Sequence, residues 1–351
     1  MDFFSFADSL RYGEVHLKND FETGLQAIVA VHNLKLGPAI GGCRFIEYPC
    51  SDTAIQDALR LARGMTYKAA ISHLPHGGGK AVIIRPPDFD PSRRTELFEA
   101  YGQFVDSLGG RYITCEDSGT SVDDMNAIKT HTDHVLGYSP EAGSSGDPSP
   151  FTAFGVRRGI EAAAKFRWDR DDLQGLHVAI QGVGSVGYFL ARELHQMGVR
   201  LTVTDINSDA VDRCVQEFDA HPVTIEEIYA VDCDIFAPCA LGGAINDHSL
   251  PLLQCEIVAG AANNQLTKPR HGQALLEKGI LYAPDYAINA GGLINVAQEF
   301  VGYDPDKART KTSDIFSTLM EIFQRADAEA LPTALIADRI VEEKIFGGPL
   351  H

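Results

Sequence analysis

The 351-residue chain has no apolar run approaching the roughly 18 residues that a membrane-spanning helix needs. It has no C-x-x-C and no H-E-x-x-H. Its seven cysteines, at 43, 50, 115, 214, 233, 239 and 255, are odd in number. A structural zinc site and a disulfide framework are therefore not expected, and a reducing cytoplasmic setting is. His73 and His76 lie three apart, but Pro75 between them spoils a helical pairing, so no metal is expected there. Positive charge is also short. Thirty lysines and arginines stand against 48 acidic residues, a net charge of −18. Such a chain repels phosphate backbones, which argues against a nucleic-acid partner. The first residues, MDFFSFADSLRYGEV, lack the basic and apolar regions of a signal peptide.

What remains is an ordinary globular composition, 44% hydrophobic and 22% charged, on a chain long enough for two domains. LQAIVAV at 25–31 reads as a strand, and LGPAIGGCRF after it as a glycine loop. Ile55, Leu59, Ala62 and Met65 share one face of a helix that starts at Ser51 or Asp52 and runs to about residue 65. AVII at 81–84 is a strand, the stretch 92–108 a helix, and RYITCE at 111–116 another strand. SPEAGSSGDPSP, 139–150, holds three prolines, two glycines and four serines and reads as a linker or hinge. Beyond it, strands and helices alternate through LHVAI, RLTVTD, DIFAP, EIVAG and ILYAP. That alternation implies a parallel, doubly wound sheet, and helices follow from about 307. The fold class is α/β with two domains.

Four stretches carry chemistry. QGVGSVG, 181–187, follows a strand and opens a helix, the context that gives G-x-G-x-x-G its meaning. Gly182 makes the turn, and Gly184 lets backbone approach a pyrophosphate. Gly187 lets the helix pack on the strand, with Ser185 and Val186 at the helix N-terminus. Asp205, 23 residues after Gly182, stands where a carboxylate receives the adenosine ribose hydroxyls, which favours NAD over NADP. HLPHGGGKAVII, 73–84, sets Lys80 after three glycines. Read as a loop, Gly77–Gly79 would clear space around one ammonium group. A desolvated lysine, or one beside a second cation such as Lys68 in GMTYK, can act as a base near neutral pH. Asp117, in CEDSGT, falls just past a strand end, where parallel sheets place functional groups and where a helix cap is the plainer reading.

With LGPAIGGCR, DALRLARGMTYK, GGGKAVI, EDSGTSVDDM, GSSGDPSPFTAFGV, GVGSVG, TDIN, AGAANNQL and APDYAINAGGLINVA in order, the chain resembles the glutamate/leucine/phenylalanine/valine dehydrogenase family, and most of all its leucine and branched-chain branch. The resemblance implies an α/β catalytic domain over 1–136. It implies a Rossmann NAD-binding domain over 137–330, separated from the first by a cleft. A terminal helix, 331–351, would return to the first domain. It implies Lys68 on the substrate carboxylate, with backbone N–H groups near Gly41 and Gly42. Lys80 would be the catalytic lysine and Asp117 its proton-exchanging partner. Thr152 would hold the nicotinamide carboxamide, and Asn263 would order nicotinamide and substrate, with Asn264 as the alternative. Dimers to octamers are also implied.

By the same resemblance Ile40, Cys115, Leu136, Leu293 and Val296 line the substrate side chain. None offers a partner to a γ-carboxylate, which disfavours glutamate because an unpaired buried charge is costly. The leucine branch usually has a small polar residue where Leu136 stands and alanine where Cys115 stands. Leu136 and Leu293 would narrow the pocket towards valine. The phenylalanine branch usually has asparagine at the Leu136 position, although GGGKAV is commoner in the valine and phenylalanine branches. The expectation is reversible NAD-dependent deamination of leucine, valine and isoleucine. A phenylalanine- or valine-preferring dehydrogenase and a non-catalytic NAD-binding regulator stay open.

Overall fold

The computed structural model describes residues 2–139, 143–240 and 242–348. The chain divides into two units. The first comprises Met1–Asp147 and Val296–Pro305, the second Pro148–Asn295 and Asp306–His351. The chain therefore crosses three times, first at Asp147/Pro148 and not after residue 136.

The first unit is built on five strands: β1 (Glu14–Asn19), β2 (Gln26–Asn33), β3 (Ala39–Ile46), β4 (Gly77–Ile84) and β5 (Tyr112–Glu116). Their order is β1-β2-β4-β3-β5. β2 runs antiparallel to β1 and β4, while β3 is parallel to β4 and β5. Helix Ser51–Ile71 covers one face. Its Ala54, Ala58, Leu59 and Ala62 pack on Ile28, Ala30 and Val82. On the other face Leu97, Phe98, Tyr101, Phe104 and Val105 of helix Arg94–Ser107 meet Val29, Val31, Cys43, Phe45, Ala81 and Ile83. Alternation along each strand sorts the two sets.

Three expectations change here. Helix Ser51–Ile71 runs six residues past Met65, takes Cys50 as its N-cap and carries Lys68 in its last turn. The stretch read as a glycine loop at 36–45 is largely β3. Gly77–Gly79 are not a loop either; they are the first residues of β4. A Cβ on Gly78 would stand 2.0 Å from the backbone nitrogen of Thr66, and one on Gly77 1.9 Å from the Asn33 carbonyl oxygen. The glycines are absent of side chains because protein packs against them, not because they border a void.

The second unit is a parallel sheet of β6 (His177–Gln181), β7 (Arg200–Thr204), β8 (His221–Pro222), β9 (Ile235–Pro238), β10 (Ile257–Val258) and β11 (Leu281–Tyr282). The order β11-β10-β9-β6-β7-β8 winds outward both ways from β6 and β9. Their junction is the switch point at which such sheets bind ligands. The last helix, Thr333–Phe346, was expected back on the first domain. It instead belongs to this unit: Thr333 donates to the Tyr282 carbonyl at 2.6 Å, Tyr286 donates to Asp338 at 2.8 Å, and Arg325 grips Glu343. It is residues 296–305 that return. Residues 349–351 lie outside the described residues.

Gly78→Val places branched carbons against helix backbone that cannot swing aside, so it is expected to cost at least ~3 kcal/mol. Gly64→Ala, in the same helix with nothing within 4 Å of the added carbon, should stabilise by up to about 1 kcal/mol. Urea unfolding of both variants reads the contrast; equal midpoints would remove the close-approach explanation.

Candidate functional site

In the first unit the strand registers align Ala30, Lys80, Gly42 and Cys115 across β2, β4, β3 and β5. The row lies on the face that helix Ser51–Ile71 covers, because Lys80 alternates with Val82. Gly42 has no side chain to stand between Lys80 and the far end of β5. A Cβ there would sit 2.7 Å from the Cβ of Asp117. Across that gap Lys80 Nζ meets Asp117 Oδ1 at 2.8 Å. Lys80 is 4% exposed. A charge so buried persists only when paired.

The Asp117 carboxylate has a second cation. Arg44, on β3, donates from Nε to Asp117 Oδ2 at 2.9 Å. Its Nη1 donates to Asp57 of helix Ser51–Ile71 at 2.9 Å, and the Tyr48 hydroxyl donates to the same oxygen of Asp57 at 2.6 Å. Asp117 also opens a turn in which its N–H donates to Thr120 Oγ1 at 2.9 Å. Burial pushes the Asp117 carboxyl up, but Lys80 and then Arg44 outweigh it and hold the group at about 2. Burial drives the neighbouring Cys43 and Cys115 thiols up to about 12, so both stay uncharged.

Ile40, Cys115 and Leu136 are buried in the same unit, Leu136 tied by its N–H to the Thr114 carbonyl at 2.9 Å. Val296 is buried with the returning segment of this unit. Three residues on, Glu299 accepts from the Gly137 N–H, the Ser144 hydroxyl, and both the N–H and hydroxyl of Ser145. The stretch read as a linker is thus held at 143–147 and becomes helix at Ser149, while 140–142 lie outside the described residues. His76, where no metal is expected, packs its ring at a tilt against Phe300, centroids 4.7 Å apart.

The second unit carries the dinucleotide motif as its spacing predicts. Gly182 follows β6 with φ +94°, and a Cβ on it would meet the Ala240 nitrogen at 2.6 Å. Gly184 caps helix Ser185–Gln196, and the space beside it is open to 4 Å. The open space suits a pyrophosphate, since it lies at a helix N-terminus whose free N–H groups attract anions. A Cβ on Gly187 would strike the Gly182 carbonyl oxygen at 2.0 Å. Asp205 follows β7; its Oδ2 accepts the Val183 N–H at 2.7 Å and its Oδ1 the Asn207 N–H at 2.9 Å. Each oxygen keeps a lone pair for a hydroxyl, so the residues fit a nicotinamide dinucleotide. Thr152 sits in the first turn of helix Ser149–Trp168, donating to the Pro148 carbonyl at 3.0 Å. Asn263 accepts from Asn289 Nδ2 at 2.9 Å, which fixes its amide; Asn264 occupies the turn position with φ +52°. Leu293 is buried in this second unit, apart from the other four residues assigned to the side-chain lining.

Sequence reasoning missed Arg44, Asp57 and Glu299. Arg44 lay inside the GGCR stretch, and its place beside Asp117 could have been found only by pairing β3 with β5. No local signal marked Glu299.

Comparison with known proteins places these two constellations in one context. Residues 11–134 match the family model described as Glu/Leu/Phe/Val dehydrogenase, dimerisation domain. Residues 203–334 match that described as Glutamate/Leucine/Phenylalanine/Valine dehydrogenase. Leucine dehydrogenase of Geobacillus stearothermophilus is 51% identical over 345 residues, covering 98% of this chain and 94% of the relative. Leucine dehydrogenase of Thermoactinomyces intermedius is also 51% identical, with the same coverage. Among solved structures, L-tryptophan dehydrogenase from Nostoc punctiforme superposes with a TM-score of 0.85 at 44% identity, covering 98% of each chain.

The depressed Asp117 carboxyl makes stability depend on pH. Its contribution is fully present above the ordinary value of 3.8 and is lost as pH falls through the folded value near 2. Asp117→Asn should cost about 2 kcal/mol near neutrality, with the deficit shrinking as the solution is acidified from ~pH 5. Thermal unfolding of both proteins against pH measures this; a deficit constant down to ~pH 3 would refute the ionic pairing.

Proposed function

The chain belongs to the Glu/Leu/Phe/Val dehydrogenase family, and from that premise we propose that it is an NAD-dependent dehydrogenase of leucine, valine and isoleucine. The observation that carries the proposal is the buried Lys80–Asp117 pair in a unit whose chain continues into a dinucleotide-binding sheet. The reaction converts an L-amino acid, water and NAD+ into a 2-keto acid, an ammonium ion and NADH with release of a proton.

Bound at the Gly182–Gly187 turn and Asp205, NAD+ would supply the acceptor for the hydride of the substrate Cα. Lys68 holds the substrate carboxylate, supported by backbone N–H groups at Gly41 and Gly42. Lys80 and Asp117 share one mobile proton between Nζ and Oδ1. Lys80, relieved of it, draws a proton from the water that attacks the imine carbon. Asp117 enters as a carboxylate, collects a proton at Oδ1 and returns it to the departing amine. Thr152 and the fixed amide of Asn263 orient the nicotinamide. Asp205 receives the ribose hydroxyls and repels a 2′-phosphate, which favours NAD.

Ile40, Cys115, Leu136 and Val296, all buried in the first unit, offer apolar side chains of the kind that suit a branched aliphatic substrate. A methylene is worth only about 1–3 kcal/mol in such a lining, so activity is spread over the three aliphatic substrates. The dimerisation-domain match, the edge position of β1 and the exposed Phe4, Leu17 and Phe21 support a homo-oligomer. Seven free cysteines, five of them buried, suit the cytoplasm. Among the described residues no helix is long and apolar enough to cross a membrane.

The deciding assay offers NAD+ with leucine, valine, isoleucine, phenylalanine, tryptophan and glutamate at alkaline pH and follows NADH absorbance. The aliphatic three should lead; no turnover with any of them would sink the proposal. Asp205→Asn should raise KM for NAD+ by roughly tenfold, the scale of one lost hydrogen bond to a charged group, with little change in KM for the amino acid. An unchanged KM for NAD+ would remove the ribose contact.

A further inference from the structure

We propose that Arg44 is a positioning residue of the proton-transfer pair: it anchors Asp117 Oδ2 and so dedicates Oδ1 to proton exchange with Lys80 and the substrate amine. This rests on the dehydrogenase reading above. The geometry is a chain of charged groups with one free end. Tyr48 and Arg44 both bind the same Asp57 oxygen, Arg44 then binds one Asp117 oxygen, and Lys80 binds the other. Arg44 is fixed at both ends, to helix Ser51–Ile71 through Asp57 and to the β5 end through Asp117. A carboxylate held at one oxygen by a planar, permanently charged donor cannot rotate without breaking that bond. Only the Lys80 end can change protonation during turnover.

The charge of Arg44 has a second effect. It draws on the same carboxylate as Lys80, so the Lys80 ammonium does not have that anion to itself. Removing Arg44 leaves the Asp117 carboxylate wholly to Lys80, so the proton-exchanging pair loses one of the two cations that hold it. The other groups facing the pair do not replace Arg44. Cys43 on β3 and Cys115 on β5 are neutral thiols. Glu116 is a neighbouring carboxyl, raised first by burial and then by Asp147, Asp124 and Asp117. Glu299 adds negative charge on the Cys115 side. Lys68 is a further cation, on the last turn of the covering helix.

Arg44→Met, Arg44→Lys and Asp57→Asn test the assignment. In Arg44→Met, kcat for leucine should fall by roughly 30-fold or more, within the range an aligned proton-transfer group supplies. KM for NAD+ should stay within about threefold, since the dinucleotide motif is untouched. The pH at which kcat reaches half its maximum should move by roughly half a unit or more. Arg44→Lys keeps the charge but cannot bridge Asp57 and Asp117, so it should restore the pH profile more than it restores kcat. Asp57→Asn leaves Asp117 and Lys80 in place and should move both readouts the same way by less. A readout without turnover runs beside these. The acid-side loss of thermal stability should begin at higher pH in Arg44→Met, because Asp117 then protonates more easily. If the wild type turns over no amino acid, the functional reading falls, and the acid-side shift still decides on Arg44. Folded Arg44→Met with wild-type kcat and an unmoved pH midpoint, or with an unmoved acid-side limb, overturns the inference.

Discussion

A buried ammonium group and a half-buried carboxylate 2.8 Å apart set the conditions for everything else in the first unit. Burial penalises each charge severely, and a close opposite charge relieves the penalty only where geometry is good. The unit supplies that geometry through absent side chains. Gly42 leaves the gap through which Lys80 reaches Asp117, and Gly78 lets helix Ser51–Ile71 lie on β4 at backbone distance. Arg44 adds a second cation beside Asp117 and is itself balanced by Asp57, so the four side chains together carry no net charge.

The second unit solves a different electrostatic problem with the backbone alone. A pyrophosphate needs donors and room more than it needs lysines. The Gly182 turn, the open space at Gly184 and the helix beginning at Ser185 give both. Asp205 is preset by two backbone N–H bonds, which fix the direction of its carboxylate oxygens. The chain's net charge of −18 is therefore compatible with binding a dinucleotide, because the attraction is local and made by peptide dipoles.

Glu299 ties together stretches of the first unit that are far apart in sequence. The chain leaves the first unit at Asp147 and comes back at Val296. Glu299 fastens the returning segment to Gly137, Ser144 and Ser145, residues that flank the first departure. A single carboxylate thus joins two crossings that are some 150 residues apart in sequence.

The sequence by itself determined the parts whose physics is local. The turn, the helix start and the acid after the next strand are fixed by neighbours within 25 residues, so the dinucleotide motif at 182–205 was legible. The amphipathic stripe at 55–65 was legible for the same reason, though not its extension to Lys68, because Thr66, Tyr67 and Lys68 carry no simple stripe. Tertiary structure decided what depends on strand pairing. LGPAIGGCRF and Gly77–Gly79 read as loops because glycine is a poor strand former in isolation. Paired with each other as β3 and β4 they become the floor of the site, their glycines demanded by Thr66, Asn33 and Asp117 from elsewhere in the chain. The partnership of Arg44 with Asp117, 73 positions away, and the docking of the last helix on β11 belong to the same class. Contacts of that range leave no periodicity in the sequence, since only the register of the assembled sheet brings the groups within hydrogen-bonding distance.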